Sequence, residues 1–212
     1  MKPPAPTSKD LVIAAAIRLF GRLGYDATSV RQITAEAGGQ NAAMVNYYFG
    51  SKAGLRRACG EAILARVQTA LPPVVKDVDA AQAARQLEIL LSALLDFMTQ
   101  VPEAEDMAAF ILRELNDPDG VLDLLYQGMI EDRHRELCLL WGRATGTDPE
   151  SERTRIAAFA MLGQILYFRI GRPVVVRRLG WSGIGPDEAR KIRDVLTANL
   201  RASLAAHEGA DT

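Results

Sequence analysis

TSVRQITAEAGGQNAAMVNYYFGSK, at residues 28–52, predicts two short helices joined by a glycine turn. Ser29 can cap the first helix, and Gln32, three residues later, can reach back to the N–H of the cap, which is the capping-box arrangement. Gly38 and Gly39 then end this helix, because glycine adopts a left-handed conformation without a Cβ penalty.

The second helix of this stretch is short and presents polar groups. Asn41 can cap it, and the small or apolar residues at positions 42–45 are followed by the amide and phenol groups of Asn46, Tyr47 and Tyr48. Two short helices around a tight glycine turn are the arrangement of the DNA-binding helix-turn-helix, whose second helix enters the major groove. An ordinary helical corner without a DNA-binding role is the structural alternative.

Charge is unevenly distributed along the 212 residues. The chain as a whole carries −1, with 49% hydrophobic and 24% charged residues, a composition typical of a soluble globular protein. Residues 1–60 contain eight basic and three acidic side chains, a net of +5, so the remainder carries −6. The asymmetry favours an approach of the N-terminal part to phosphates, although chance segregation of five charges gives the same pattern.

Cysteine content and hydropathy predict the compartment. Cys59 and Cys138 are the only cysteines and have no short-spaced partner, so no disulfide framework is expected. The N-terminus has no apolar segment of signal-peptide length, and no run approaches the roughly 20 apolar residues of a membrane span. We therefore expect a cytoplasmic protein that has no membrane partner.

The rest of the chain predicts helices almost throughout, so the expected fold class is all-α. The expected helices outside the quoted stretch span residues 9–23, 52–71, 79–101, 103–116, 121–141, 150–170 and 186–206. A short helical piece within residues 172–181 is expected to pack Trp181 against the body. The expected organisation is a disordered lead-in (1–8), a three-helix helix-turn-helix DNA-binding domain (9–56), a C-terminal helical bundle for ligand binding and dimerisation (57–207) and a tail (208–212).

Three stretches carry a family resemblance. The N-terminal pattern runs through Phe20, Gly24, Tyr25, Thr28, Val30, Ile33, Ala37, Gly38, Tyr47, Tyr48, Phe49, Ser51, Lys52 and Leu55. It resembles the TetR family of bacterial transcriptional regulators over roughly residues 10–60, although the double glycine makes the turn one residue longer than is usual there. FILRELNDP at 110–118 and LGQILYFRIGRPVVVRRLGW at 162–181 resemble the C-terminal domain of its CecR-like branch.

The resemblance implies a homodimeric repressor that binds a palindromic double-stranded DNA operator and is released by a small-molecule effector, with no cofactor. The residues expected to contact phosphates are Thr28, Ser29, Arg31, Tyr47, Tyr48 and Lys52. The candidates for reading base edges are Gln40, Asn41 and Asn46, because side-chain amides can bond adenine bidentately. Asn41 has the alternative role of a helix cap only, and one of the tyrosines that of a packing residue.

The effector and the second subunit are expected to bind in the C-terminal part. Candidate pocket residues combine apolar walls with a few polar tips, as ligand sites do: Phe97, Phe110, Arg113, Tyr126, Met129, Gln164 and Tyr167. Ordinary core positions are the alternative for each of them. The helix at 150–170 is apolar over much of its circumference, which predicts either a central helix or a two-fold interface. The expected interface residues are Phe159, Leu162, Gly163, Leu166, Leu196 and Leu200.

Enzymatic and metal-binding functions are not expected. Glu131, Asp132, His134 and Glu136 form an acidic cluster with one histidine, but their helical spacing fans them around the axis. The chain contains no P-loop, GxSxG or HExxH motif. The remaining alternative to a regulator is a helical small-molecule-binding or scaffolding protein whose helix-turn-helix is structural.

Overall fold

The computed structural model of the chain describes residues 7–39 and 41–207, which contain helices and connecting turns but no β-strand. The all-α prediction is confirmed. The helices are α1 (Ser8–Leu23), α2 (Val30–Glu36), α3 (Ala43–Phe49), α4 (Lys52–Ala70), α5 (Ala80–Gln100), α6 (Glu103–Glu114), α7 (Leu122–Leu125), α8 (Glu131–Thr145), α9 (Glu152–Ile170), α10 (Arg172–Leu179) and α11 (Pro186–His207).

The described residues form two compact units. Unit 1 contains the chain up to Val67 together with Glu105–Gly128, and unit 2 contains Gln68–Ala104 and the chain from Met129 onward. This division differs from the expected boundary after residue 56, because most of α6 and all of α7 pack with the N-terminal helices. Residues 1–6 of the predicted lead-in and the predicted tail at 208–212 lie outside the described residues.

Unit 1 is built around the C-terminal end of α1. Phe20 is buried there, with its ring centroid 5.4 Å from that of Tyr25 and 6.4 Å from that of Phe110. A Cβ on Gly21 would lie 3.0 Å from the backbone nitrogen of Phe110, so glycine lets α6 approach α1 closely. Arg113 of α6 donates from Nε to the carbonyl of Gly21, at a helix end where carbonyls lack helical partners.

Unit 2 is a bundle of α5, α8, α9 and α11. The leucines of α5 recur at spacings of three and four residues, which places them on one face of the helix. This face is buried in the core through Leu87, Leu90, Leu91 and Leu95. Trp181 packs against this core, as expected. Two ion pairs connect α11 with α5: Arg201 with Glu88, at 2.6 Å, and Arg193 with Asp96.

The helix expected at 121–141 forms, but it is not a regular α-helix throughout. A π-helical turn, Tyr126–Ile130, separates α7 from α8, which continues to Thr145. A Cβ on Gly128, inside this turn, would lie 2.7 Å from Leu64 Cδ1, so the wide turn packs against α4 through a glycine. The sequence did not predict this turn, because apolar residues continue on both sides of it although the turn itself departs from the 3.6-residue period of an α-helix.

No single helix among the described residues is long and apolar enough to span a membrane. Only α9 and α10 taken together reach such a length and composition, and they bend by 76° at their junction.

Candidate nucleic-acid interface

The capping and turn chemistry of α2 is as predicted. The backbone N–H of Gln32 donates to Ser29 Oγ at 3.2 Å, and the N–H of Ser29 donates to Gln32 Oε1 at 2.7 Å, which completes the capping box. After α2, Gly38 and Gly39 adopt φ values of +93° and +79°. Both values lie in the region that favours glycine, so two consecutive glycines reverse the chain between α2 and α3.

The short helix α3 is anchored by one face and exposed on the other. Val45 is fully buried, while Asn46, Tyr47 and Tyr48 are exposed, Tyr47 by 83%. The phenol rings of the two tyrosines contact edge to face, with centroids 5.0 Å apart. This exposed face has the hydrogen-bonding tips and the size needed to enter a DNA groove.

Asn41 lies one residue before the N-cap position of α3, which is Ala42 and makes no side-chain capping bond, so the cap predicted at Asn41 is displaced by one residue. Asn41 Oδ1 accepts a hydrogen bond from the backbone N–H of Ala43 at 2.9 Å. The oxygen is therefore occupied inside the turn, although the residue is exposed. Gln40, the neighbouring candidate for base reading, lies outside the described residues.

Thr28 does not present its side chain to solvent. It is 1% exposed, and its hydroxyl donates to the carbonyl of Gly24 at 2.7 Å. The hydroxyl joins the α1–α2 connection to the end of α1, so we remove Thr28 from the set of side chains available to phosphate. Ser29 and Arg31, the other candidates at this helix end, are exposed.

Lys52 lies in the first turn of α4, next to the end of α3. Ser51 caps this helix, since its Oγ accepts a hydrogen bond from the backbone N–H of Gly54 at 3.0 Å. The ammonium nitrogen of Lys52 is 4.2 Å from the ring centroid of Tyr25, within the range of a cation–π interaction. Lys52 is partly exposed, so it combines a fixed position with access to solvent.

Gly54 is a determinant of this interface that the sequence reasoning missed. A Cβ at this position would lie 1.9 Å from the carbonyl oxygen of Phe49, the last residue of α3. Any side chain would force α3 and α4 apart, so glycine sets the position of α3 against the next helix. A glycine inside a predicted helix is the sequence signal that points to such a packing role.

The seven candidate pocket residues fall into both units. Phe110, Arg113 and Tyr126 belong to unit 1, and Phe97, Met129, Gln164 and Tyr167 belong to unit 2. Phe97 and Phe110 are buried, whereas Tyr126 and Tyr167 are exposed. Gln164 lines a cavity of about 190 Å³ in unit 2, and Arg113 lines an open cleft of about 530 Å³ in unit 1.

The candidate dimer residues divide into exposed and core positions. Phe159 and Gly163 are exposed on α9, and Leu162 and Leu166 are half-buried. Leu196 and Leu200 are only 4% and 3% exposed, because they point into the core of unit 2. These two leucines are therefore core residues of unit 2, and the exposed residues of α9 are the ones accessible to a second subunit.

In the acidic cluster of α8, Glu131 and Glu136 are ion-paired, His134 is buried and Asp132 is exposed. Glu131 pairs with Arg135 and Glu136 with Arg133, while the ring of His134 stacks on Phe159 with centroids 3.9 Å apart. Within residues 7–39 and 41–207, no group of three or more His, Cys, Asp and Glu side chains is placed to hold a metal ion.

Comparison with known proteins identifies the family. Residues 12–59 match the family described as bacterial regulatory proteins of the tetR family, and residues 83–207 match the C-terminal domain of the HTH-type transcriptional dual regulator CecR. The CecR protein of Shigella flexneri is 31% identical over 202 residues, which cover 91% of this chain and 89% of that protein. The HTH-type regulator RaaS of Mycobacterium tuberculosis strain H37Rv is 27% identical, covering 92% and 87%.

Solved structures show the same fold. AibR in complex with isovaleryl coenzyme A and operator DNA has a TM-score of 0.69 at 17% identity, covering 91% of this chain and 97% of that one. A TetR-like regulator from Rhodococcus sp. RHA1 has a TM-score of 0.63 at 21% identity, covering 96% and 99%. The chain belongs to the tetR family of bacterial regulatory proteins, which are transcriptional regulators and not enzymes, and it carries a C-terminal domain of the CecR type.

Proposed function

We propose that this protein is a homodimeric transcriptional repressor that binds a palindromic operator and is released from it by a small-molecule effector. The observation that carries the proposal is the exposed face of α3, held in a helix-turn-helix whose sequence belongs to a DNA-binding family. Because operator DNA lies in the bacterial cytoplasm, the proposal also places the protein there.

The proposed phosphate contacts come from α3 and from the first turns of the two neighbouring helices, α2 and α4. Ser29 and Arg31 lie at the start of α2, Tyr47 and Tyr48 on α3, and Lys52 at the start of α4. All are exposed or partly exposed. Contacts of this kind position a protein on the duplex without reading its sequence.

Asn46 is the proposed base-reading residue. It is exposed on α3, and a side-chain amide can donate to and accept from adenine in the major groove. Asn41 remains a weaker candidate because its side-chain oxygen already accepts a hydrogen bond from the backbone N–H of Ala43. Gln40 stays in the proposed set on sequence grounds alone.

Two substitutions on α3 test the division of roles. Tyr47→Ala is expected to weaken binding to all duplexes, whereas Asn46→Ala is expected to lose about 1–3 kcal/mol of discrimination at one position of the half-site. Binding would be measured on fragments selected from genomic DNA by the purified protein, at two salt concentrations. Equal effects of both substitutions on selected and unselected duplexes would contradict the division, and binding that is absent or independent of salt would contradict DNA binding altogether.

The proposed dimer interface is the exposed apolar face of α9. Ile156, Phe159 and Tyr167 are each more than half exposed along this face, with Gly163 between the two aromatic residues. Contiguous apolar surface of this kind marks an association site, and a two-fold dimer matches a palindromic operator. Phe159→Glu is expected to give a monomer in sedimentation analysis, while Val174→Glu on the exposed surface of α10 serves as control. A dimeric Phe159→Glu variant would refute this interface.

The proposed effector site is the cavity that Gln164 lines. Its other lining residues are apolar or uncharged: Leu91, Trp141, Ala157, Ala160, Met161, Leu196, Leu200 and Ser203. Since an unpaired buried charge is costly, the cavity favours a neutral apolar ligand, and its 190 Å³ exceeds the roughly 150 Å³ that binds benzene in a protein interior. A ligand could bind here and favour a conformation of the dimer in which the two helix-turn-helix units are wrongly spaced for the operator. Such a ligand would lower operator affinity by population shift.

A small neutral aromatic compound, benzyl alcohol, is a suitable first probe of this cavity. It is expected to raise the melting temperature of the wild-type protein in proportion to occupancy, and to have less effect on Ala160→Phe, which fills the cavity. Equal shifts in both proteins would place the ligand elsewhere. Binding in the cavity that leaves operator affinity unchanged would show that the compound is not an inducer.

A further inference from the structure

A buried ion-pair network joins α4 to the end of α6 inside unit 1. The side chain of Arg56 is 6% exposed and that of Glu114 is 2% exposed. Arg56 Nε donates to both carboxylate oxygens of Glu114, at 2.9 and 3.1 Å, and its terminal nitrogen donates to Asp117 Oδ2 at 2.5 Å. Arg56 and Glu114 are buried charges that must compensate each other, and Asp117, whose side chain is 37% exposed, completes the hydrogen bonding of the guanidinium group.

The loop that follows α6 is folded around this guanidinium group. The N–H of Val121 donates to Glu114 Oε2 at 2.7 Å, and the N–H of Asp119 donates to Asp117 Oδ1 at 3.1 Å. A Cβ on Gly120 would lie 2.5 Å from Glu114 Oε2, so the loop passes as close to the carboxylate as glycine allows. Both carboxylates are therefore held in place by backbone as well as by Arg56.

The same guanidinium group lies against Tyr25. Arg56 Cζ is 4.4 Å from the ring centroid of Tyr25, and the ammonium nitrogen of Lys52, one turn earlier on α4, is 4.2 Å from it. Cations at these distances are attracted by the ring, and residues four apart on a helix are neighbours. Tyr25 thus contacts both the buried Arg56 and the partly exposed Lys52, which is a proposed phosphate contact.

We propose that Arg56, Glu114 and Asp117 position Lys52 for its phosphate contact, with the ring of Tyr25 as the intermediate. Glu114 and Asp117 hold the guanidinium group, the guanidinium group and Phe20 fix the ring, and the ring orients the ammonium group. The network makes the loop after α6 a determinant of DNA affinity, although its residues lie more than 50 positions from Lys52 in sequence. This inference rests on the proposed contact between Lys52 and DNA.

The sign of the change in DNA affinity tests the inference, because a change in net charge and a loss of positioning predict opposite signs. Removing the carboxylate of Asp117 makes the protein more positive, so a purely electrostatic effect would tighten DNA binding slightly. Loss of positioning would weaken it instead. Glu61→Ala is the matched control, because Glu61 pairs with Arg57 on the exposed side of α4 and its loss changes the charge by the same amount.

The experiment uses the full-length protein and a labelled duplex of mixed sequence, since a phosphate contact does not depend on sequence. Asp117→Ala is expected to weaken binding roughly three- to tenfold and to lower the slope of log Kd against log salt concentration by about one per subunit. Asp117→Asn, which retains an oxygen acceptor for Arg56, is expected to fall between wild type and Asp117→Ala. Glu61→Ala is expected to change affinity less than about twofold. Circular dichroism at the assay temperature confirms that each variant is folded.

A double-mutant cycle with Lys52→Gln separates positioning from a general loss of structure. If Asp117 acts through Lys52, Asp117→Ala weakens binding in the wild-type background but has little further effect in the Lys52→Gln background. Equal effects in both backgrounds, or unchanged or tighter binding by Asp117→Ala, would overturn the inference while leaving the Lys52 contact intact. A Lys52→Gln variant that binds like wild type would overturn the Lys52 contact and this inference together.

Discussion

Glu114→Gln tests how strongly the buried ion pair stabilises unit 1. Burial by itself lowers the pKa of Arg56, but the hydrogen bonds that Arg56 donates to the carboxylates of Glu114 and Asp117 raise the pKa overall, so the guanidinium group stays charged. Removing one partner of a buried ion pair typically costs about 3–5 kcal/mol, because a charge is left without compensation. Asp117 remains bound to Arg56 and the glutamine oxygen can still accept one hydrogen bond, so we expect a loss of about 2–3 kcal/mol.

The expected loss corresponds to a decrease in melting temperature of about 5–10 °C for a chain of this size. Thermal unfolding would be followed by circular dichroism at one fixed protein concentration, since the proposed dimerisation would make the midpoint depend on concentration. Glu61→Gln is the control, because this glutamate also pairs with an arginine of α4 but is exposed, and such pairs contribute only about 0–1 kcal/mol. If Glu114→Gln melts as close to wild type as Glu61→Gln does, the buried pair does not stabilise the unit as argued.

Three further substitutions or reactions test other parts of the molecule. Gly54→Ala is expected to lower the free energy of unfolding, measured by urea denaturation, by about 1–3 kcal/mol, since its Cβ would lie 1.9 Å from the carbonyl oxygen of Phe49. A wild-type urea midpoint would contradict that packing. Burial raises the pKa of Cys138 to about 11, so a thiol reagent at pH 8 should react with it only after unfolding; rapid reaction in the native protein would be inconsistent with its burial. The hydrogen bond from Arg201 lowers the pKa of Glu88, so the stabilisation is present above the unfolded-state pKa and is lost as pH falls through the folded-state value. The difference in melting temperature between wild type and Glu88→Gln should therefore be constant near neutral pH and narrow below about pH 4, and a difference that widens in acid would reverse the assigned sign.

Local features of the fold follow from the sequence because their causes lie within a few residues. The capping box of Ser29 and Gln32 needs a spacing of three residues, and the positive φ values of Gly38 and Gly39 need only the absence of a side chain. The exposed face of α3 is similarly local, since Val45 marks the buried side and Tyr47 the opposite one. Family membership follows from the same stretch, because its residues match a shared N-terminal pattern.

Other features depend on partners far away in sequence. The apolar spacing of α11 predicts that Leu196 and Leu200 are buried. It does not show whether they are buried in the core of unit 2 or against a second subunit. Thr28 has a hydroxyl suited to phosphate, yet Gly24 and the end of α1 occupy it. In each case the residue type is compatible with two environments, and only packing selects one.

The sequence alone determined that this protein is all-helical with a helix-turn-helix near its N-terminus, because helix periodicity, caps and glycine turns are short-range properties. The step from this fold to a regulator came from the family resemblance of the sequence. The tertiary structure decided that α6 packs with the N-terminal helices, and that Arg56 meets Glu114, 58 residues away. Neither residue carries a local signal of this pairing, because the pairing depends on how the helices pack in three dimensions. A buried charge must find its partner wherever the fold places it.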